Sequence, residues 1–434
     1  MLLASAAAGS SARSIGAFQT TAVSGAAASG SLSLKDRVEV FEGVWKTVNE
    51  RYYEASLNGV DWRAVRERYR PLVEQASGDD EFYRFLKQMV GELHDAHTRF
   101  HTPEERRERE RDQTVSIGLS IFEVEGKPVV TDVEPDSDAA HAGVEQGMVV
   151  LEIEDRPVSE RLAEARARVA GSSSDRAVRL RIYRMIIDGD PGTTVRLRLA
   201  GADDRSLAVT LTRRIVRDAA VVTSRRLRSR IGHIRLTLWK SPVRKQFKKA
   251  LKEFRDAPGL IIDIRGNPGG EAEEVVKIAS YFFNSHVPFG KFSNRSGRAV
   301  YLRTDEDEEV YKGPVAILVN EGSGSGSELF AGVMQETGRA IVIGRQSCGC
   351  VRGISKFRKF GEGELAVSEF GYLSPGGKTY EGVGVTPDKI VELRISDLQQ
   401  HRDVALEEAE RLLRTKTSMN VRALPLRPPG LFAY

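Results

Sequence analysis

A serine set among residues too small to hinder the backbone is the feature of this chain best suited to covalent chemistry. After the apolar run Val315–Val319, the sequence reads Asn320-Glu321-Gly322-Ser323-Gly324-Ser325-Gly326-Ser327-Glu328. Leu329, Phe330, Val333 and Met334 then fall at helical spacing, up to Gly338. The apolar run reads as a strand buried on both faces, the small-residue segment as a sharp turn and the remainder as a helix. A hydroxyl at that turn would lie where unpaired N–H groups and the positive end of the helix dipole collect. This suits a nucleophile whose attack leaves an oxyanion beside it. The same pattern also fits an ordinary strand-to-helix turn with Ser327 as N-cap.

A second stretch, Gly259–Gly270 (GLIIDIRGNPGG), reads as a buried strand ending in Asp263, Arg265 and a Gly-Asn-Pro-Gly-Gly turn. Together the two stretches resemble the S41 peptidases, the C-terminal processing or tail-specific proteases. Further matches are AHTRFHTPEE at 96–105, GRAIVIG at 338–344 and YEGVGVTPD at 380–388, in the family's order. The resemblance runs from about Lys35 to about Leu413. It implies that Ser325 is the nucleophile and that the oxyanion hole is built from backbone N–H groups of Gly269 or Gly270 and of Gly326.

The resemblance also exposes a gap. The processing proteases pair their serine with a lysine, followed by a glutamine. Those positions here are Cys350 and Ile354. Three readings follow. In the first, His97 is the base, because the tricorn-type branch uses a histidine from the helical region with a late glutamate, which here is Glu381. An imidazole near its ordinary pKa suits that task at neutral pH, and a carboxylate could orient it directly or through a second hydroxyl. The tricorn pattern has a serine just before its histidine, where this chain has Ala96. In the second reading the chain is a catalytically inactive relative that binds peptide tails. In the third, Cys350, Lys356 or another residue serves as base or partner, since a thiolate near a helix N-terminus can be activated. Cys348 and Cys350 are the only cysteines. A bridge between them would be strained, so free thiols or metal ligation are expected.

These side chains need elements to position them. At 434 residues the chain is expected to form two or three domains. Lys plus Arg is 65 against 61 for Asp plus Glu, a balance that gives no argument for nucleic acid. No apolar run approaches the ~20 residues of a membrane-spanning helix. Residues 1–31 are Ala-, Ser- and Gly-rich and read as a disordered leader or a degraded signal segment. Lys35–Tyr53, Trp62–Val73 and Phe82–Leu93 have helical spacing, with their aromatics in the core. His94, His97 and His101 would share a face if the helix ran through them, which raises a metal reading. The Pro103 turn argues that it does not, and no metal or organic cofactor is implied. Glu104–Arg111 reads as a solvated helix or hinge.

From Ser116 the pattern turns to short strands and resembles a PDZ domain. In such domains the loop before the peptide-binding strand holds a chain-terminal carboxylate and the peptide adds as a further strand. Here that region is Ile117, Gly118, Leu119 and Ser120. Gly147-Met148 departs from the usual pattern, and Arg161–Met185 is an insertion. Strands near 231–236, 260–264, 314–319 and 340–343, with helices between them, read as a right-handed βαβ core. His233 is expected to be structural. Asp397–Leu413 reads as an amphipathic helix.

The expected architecture is multidomain α/β (α+β). A helical region (32–111) and a PDZ-like domain (112–215) are followed by an S41-type α/β core (216–396), the core being split around the PDZ-like domain, with a C-terminal helix and tail (397–434). The expected function is a serine endopeptidase acting on extended or unfolded polypeptides held by their C-termini. The alternative is an inactive PDZ scaffold. The resemblance implies polypeptide partners and leaves room for a homo-oligomer. The N-terminal segment, read as a leader, points to the periplasm or secretion, with the cytoplasm as the other option.

Overall fold

The computed structural model describes residues 31–422, apart from 111–113, 170, 203–204, 217–220 and 307–308. The leader, save Ser31, and the end of the tail from residue 423 onward lie outside the described residues. The chain has the mixed helix-and-sheet, multidomain architecture expected of it.

The central sheet runs in the order Val222–Arg226, Gly232–Leu236, Leu260–Asp263, Val315–Val319, Ala340–Gly344, Lys389–Ile390. The first pair is antiparallel and the rest are parallel. Every residue of Leu260–Asp263 and Val315–Val319 is buried, because both faces of these central strands are covered. Ile262, Ile317 and Val319 meet Val275, Phe330 and Val333 from the helices on one face. Ile261, Ala316 and Leu318 meet Ala405, Leu406 and Ala409 on the other. This alternation is the period-two geometry of a strand.

The three N-terminal helices are Leu34–Arg51, Trp62–Glu74 and Asp79–Gly91. Phe41, Trp62, Phe82 and Leu86 form their core, which Phe100, Leu365 and Val367 join. Strand Arg99–His101 pairs with Gly363–Ala366 and stitches this region to the rest of the chain. The third helix stops at Gly91, so His97 sits in a loop and His101 on a strand, and the three histidines share no helix face.

Between these parts, Leu119–Val124, Lys127–Val133, Val149–Ile153, Thr194–Ala200 and Ser206–Thr212 form a separate sheet with its own core. The stretch expected as an insertion folds into helices Val158–Arg168 and Asp175–Met185. The second packs on the edge strand Leu119–Val124, with the Phe122 and Tyr183 rings 5.4 Å apart.

The C-terminal helix differs from expectation. It is split into Ile395–Gln399 and Val404–Arg422. Asp403 makes the break: one of its oxygens accepts from Leu406 N–H at 3.1 Å while its carboxylate grips Arg265 at 2.8 Å. A capping aspartate starts a new helix there.

Candidate functional site

Ser325 is the N-cap of helix Gly326–Glu336, with φ +51° and ψ −113°. A non-glycine residue in that region is strained and must be held by its surroundings. Two contacts hold it. The Ser325 N–H donates to Glu328 Oε2 at 3.0 Å. On the other side lies Gly269, at φ +111°, where an added Cβ would stand 2.6 Å from Ser325 Cβ. Only glycine allows the two turns to meet so closely. Ser325 itself remains half-buried, open on one side.

Ser327 is not the cap. It is fully buried, accepts from Trp239 Nε1 at 2.9 Å and donates to the Asn267 carbonyl at 2.9 Å. These bonds tie the serine turn to the Asn267-Pro268-Gly269-Gly270 turn. The Gly269 N–H donates to Asn267 Oδ1 at 2.9 Å, so it is already engaged. Among the described residues, no hydrogen bond engages the N–H groups of Gly270 or Gly326. The Gly270 nitrogen lies 3.5 Å from where a Cβ on Gly326 would stand, so these two unpaired donors flank Ser325 together.

Glu328 organises the next layer. It is fully buried, and burial pushes its pKa up to about 7 against the hydrogen bonds it accepts. Its donors are Ser347 Oγ at 2.6 Å, Gly349 N at 2.7 Å, Cys350 N at 2.9 Å and the Ser325 amide. One carboxylate thus joins the serine turn to the 347–350 loop. The pattern Ser325-x-x-Glu328 is the sequence signature of a helix N-terminus and could have revealed this role.

Cys350 occupies that loop, but not as a free thiol. Cys348 and Cys350 form a disulfide and no free cysteine remains. The expectation of free thiols or metal ligands is corrected here. Gly349 between them, at φ +79°, lets the Cα atoms come to 5.4 Å, inside the ordinary disulfide range. A disulfide sulfur has no proton to exchange, so Cys350 cannot act as base. Lys356 is exposed and lacks the desolvation a neutral lysine base requires.

The His97 segment packs against this loop: the neighbouring Ala96 packs with Ala177, Cys348 and Cys350. Among the described residues no hydrogen bond joins His97 to Ser325, and His97 Nδ1 is buried without a partner. Burial lowers the His97 pKa to about 4; Asp95 opposes that shift, while Arg99, Arg181 and Arg352 add to it. Asp95 accepts from His97 N at 2.7 Å, Thr98 N at 3.2 Å and Ser368 Oγ at 3.0 Å, and pairs with Arg352 at 2.9 Å. Burial would raise its pKa, but Arg352 overrides this and leaves it at about 2.

Glu381 Oε2 accepts from Val351 N at 2.6 Å and Arg352 N at 3.1 Å, while its buried Oε1 has no hydrogen-bond partner and lies 3.6 Å from Arg352 Nε. Burial raises its pKa. A cleft of about 450 Å³, lined in part by Tyr53, Glu54, Arg352 and Glu381, opens on this group. Neither Arg352 nor Asp95 was visible from sequence, since nothing local marks either as a partner of the other.

The expected peptide-end loop belongs to the separate sheet. Ile117, Gly118 and Leu119 are buried and Ser120 is exposed. The Gly118 N–H is engaged by Ser116 Oγ at 3.0 Å.

Comparisons with known proteins bear on this arrangement. Residues 230–391 match peptidase family S41, and residues 34–91 match the tricorn protease C1 domain. The chain is 28% identical to carboxyl-terminal-processing peptidase 2, chloroplastic, of Arabidopsis thaliana, over 80% of this chain and 68% of that one. It is 26% identical to a carboxyl-terminal-processing protease of Synechocystis sp., over 85% of each. The solved photosystem II D1 C-terminal processing protease superposes with a TM-score of 0.60 at 23% identity, covering 87% of this chain and 97% of the other.

Proposed function

Because the chain belongs to the S41 peptidase family, the family of C-terminal processing serine-type peptidases, we infer that it hydrolyses peptide bonds in extended or unfolded polypeptides with Ser325 as nucleophile. His97 takes the Ser325 proton and returns it to the leaving amine, and Glu381 supports the imidazolium that forms. The tetrahedral oxyanion is received by the N–H groups of Gly270 and Gly326. The separate sheet carrying Ile117–Ser120 holds the substrate's C-terminus, the peptide adding beside its edge strand. The Cys348–Cys350 disulfide supports an oxidising compartment, periplasmic or extracellular.

The observation that carries this reading is the Ser325 turn. A half-buried hydroxyl in a strained conformation stands beside two unpaired main-chain N–H groups. The competing reading, a peptide-binding relative without chemistry, draws on the missing His97–Ser325 hydrogen bond. Resting active sites often close such bonds only around substrate. The test compares wild type, Ser325→Ala and His97→Ala on an unfolded protein substrate. Cleavage by wild type alone is expected. Equal, negligible cleavage by all three would sink the peptidase reading.

A further inference from the structure

A cleft of about 310 Å³ opens where the edge strand Val222–Arg226 meets Gly232–Leu236 and the end of Leu260–Asp263, and none of its lining residues belongs to the Ser325 site. The strand register makes its charges converge. Arg225 stands opposite His233, Thr223 opposite Arg235, and Arg235 opposite Asp263. Opposed residues and alternate residues of one strand share a face of the sheet, so these side chains lie on the same face. Arg265 and Asp403 complete the charged lining, which thus holds three guanidiniums against two carboxylates. Arg265 alone engages both carboxylates. It donates to Asp263 Oδ1 at 2.9 Å and Oδ2 at 2.6 Å, and to the two Asp403 oxygens, each at 2.8 Å. Burial would raise the Asp263 pKa, but Arg265 overrides this and holds the group well below the usual carboxylate range. Arg235 reaches Asp263 Oδ2 only through Nη1, at 3.4 Å, and its other N–H groups have no partner among the described residues. Arg225 is exposed and makes no hydrogen bond or ion pair among the described residues. His233 is 7% exposed, and its Nε2 has no hydrogen-bond partner, with Asp263 Oδ2 standing 3.5 Å away.

We propose that this cleft binds a phosphate group, held by forked hydrogen bonds from Arg225 and Arg235, with His233 Nε2 as the donor on its floor. Like charges close together on one sheet face repel each other, and an anion between the two arginines turns that repulsion into attraction. Planar guanidinium forks match phosphate oxygens two at a time. An orphaned buried nitrogen is costly, and a phosphate oxygen supplies the partner that the fold does not. Thr223 and Ser224 add hydroxyl donors from the edge strand. Donors therefore come from two neighbouring strands and from the ring beneath them. That arrangement suits a tetrahedral anion with three outward oxygens better than a planar carboxylate with two. The two carboxylates of the cleft do not oppose it, because Arg265 neutralises them. The volume is at the small end of ligand pockets, which fits the free ion or a small phosphate monoester. This inference stands apart from the peptidase reading, since it uses none of the residues that reading assigns.

The test titrates the full chain with inorganic phosphate, glycerol phosphate and acetate at matched ionic strength, by calorimetry, in wild type, Arg225→Gln, Arg235→Gln and Arg228→Gln. Arg228 is an exposed arginine outside the cleft and controls for net charge. Wild type is expected to bind phosphate saturably at a single site. Arg225→Gln and Arg235→Gln are each expected to weaken binding about 10-fold or more, and Arg228→Gln less than about twofold, the scale of a lost charge-assisted hydrogen bond. Arg225 makes no bond that the fold depends on, so Arg225→Gln keeps the test readable even if Arg235→Gln misfolds. With ¹⁵N-labelled histidine, phosphate is expected to shift the His233 ring nitrogens. Tighter binding of glycerol phosphate assigns a monoester as the ligand, and tighter binding of phosphate assigns the free ion. The proposal is overturned if no saturable binding occurs, if Arg228→Gln weakens it as much as Arg225→Gln, if acetate binds as tightly as phosphate, or if the His233 resonances stay unmoved.

Discussion

The two halves of the site are built by different means. On the Ser325 side, the groups that matter belong to two turns, and their positions follow from close backbone packing. Gly269 seats the serine, Glu328 pins its amide, and Ser327 and Trp239 lock the turns together. On the His97 side, Asp95 and His97, Arg352 and Glu381 come from three segments distant in sequence, and His97 Nδ1 and Glu381 Oε1 make no hydrogen bond. The difference teaches that Ser325, the proposed nucleophile, and the two N–H groups beside it are set by local packing of two turns. Alignment of His97, the proposed base, depends on contacts between separately folded regions, and under that proposal those contacts tighten around substrate.

The sharpest way to break the comparison is at the serine side. Gly269→Ala would place a methyl 2.6 Å from Ser325 Cβ and force alanine to φ +111°. Cleavage is expected to fall about 10²–10³-fold, because the serine and its donors move apart. Wild-type kcat/KM in this variant would show that the close seat is dispensable. A large effect on stability is expected on the other side instead. Arg352→Met would leave Asp95, 3% exposed, buried without its guanidinium partner. The expected loss is about 3–5 kcal/mol, read from the denaturant midpoint. A midpoint equal to wild type would mean that Asp95 is neutral or solvated.

A smaller effect separates the halves by pH. The His97 pKa is depressed from 6.5 to about 4, so the unfolded chain binds more protons between those values. Stability from this group is therefore present above 6.5 and lost as pH falls towards 4. Glu328 has the opposite sign: its pKa is raised from 4.5 to about 7, so the native state binds more protons in that window and loses stability as pH rises through it. His97→Gln should flatten the acid limb of a Tm–pH curve, and Glu328→Gln the limb towards pH 7. Parallel curves for wild type and both variants would remove the claim that these buried groups titrate abnormally.

Much of the scaffold was legible from residue pattern. The apolar runs at 260–263 and 315–319 could only be strands covered on both faces, and both are. The three N-terminal helices follow from their aromatic spacing, with ends displaced by a few residues. The split of the C-terminal helix was not legible, because Asp403 reads as an ordinary helix residue until Arg265 is placed beside it. The disulfide was missed for a related reason. Two cysteines one residue apart imply a strained bridge unless a left-handed turn brings them together, and Gly349 permits that turn.

What the chain's order of residues determined alone was the serine turn, since small residues, a strand before and a helix after leave the backbone few alternatives. Tertiary structure alone decided which carboxylates and guanidinium gather at the His97 loop. Arg352 has no local signal for Asp95 or Glu381. Side-chain pairing across a fold is a matter of distance in space, and only packing of the helical region, the inserted helix and the core sets that distance.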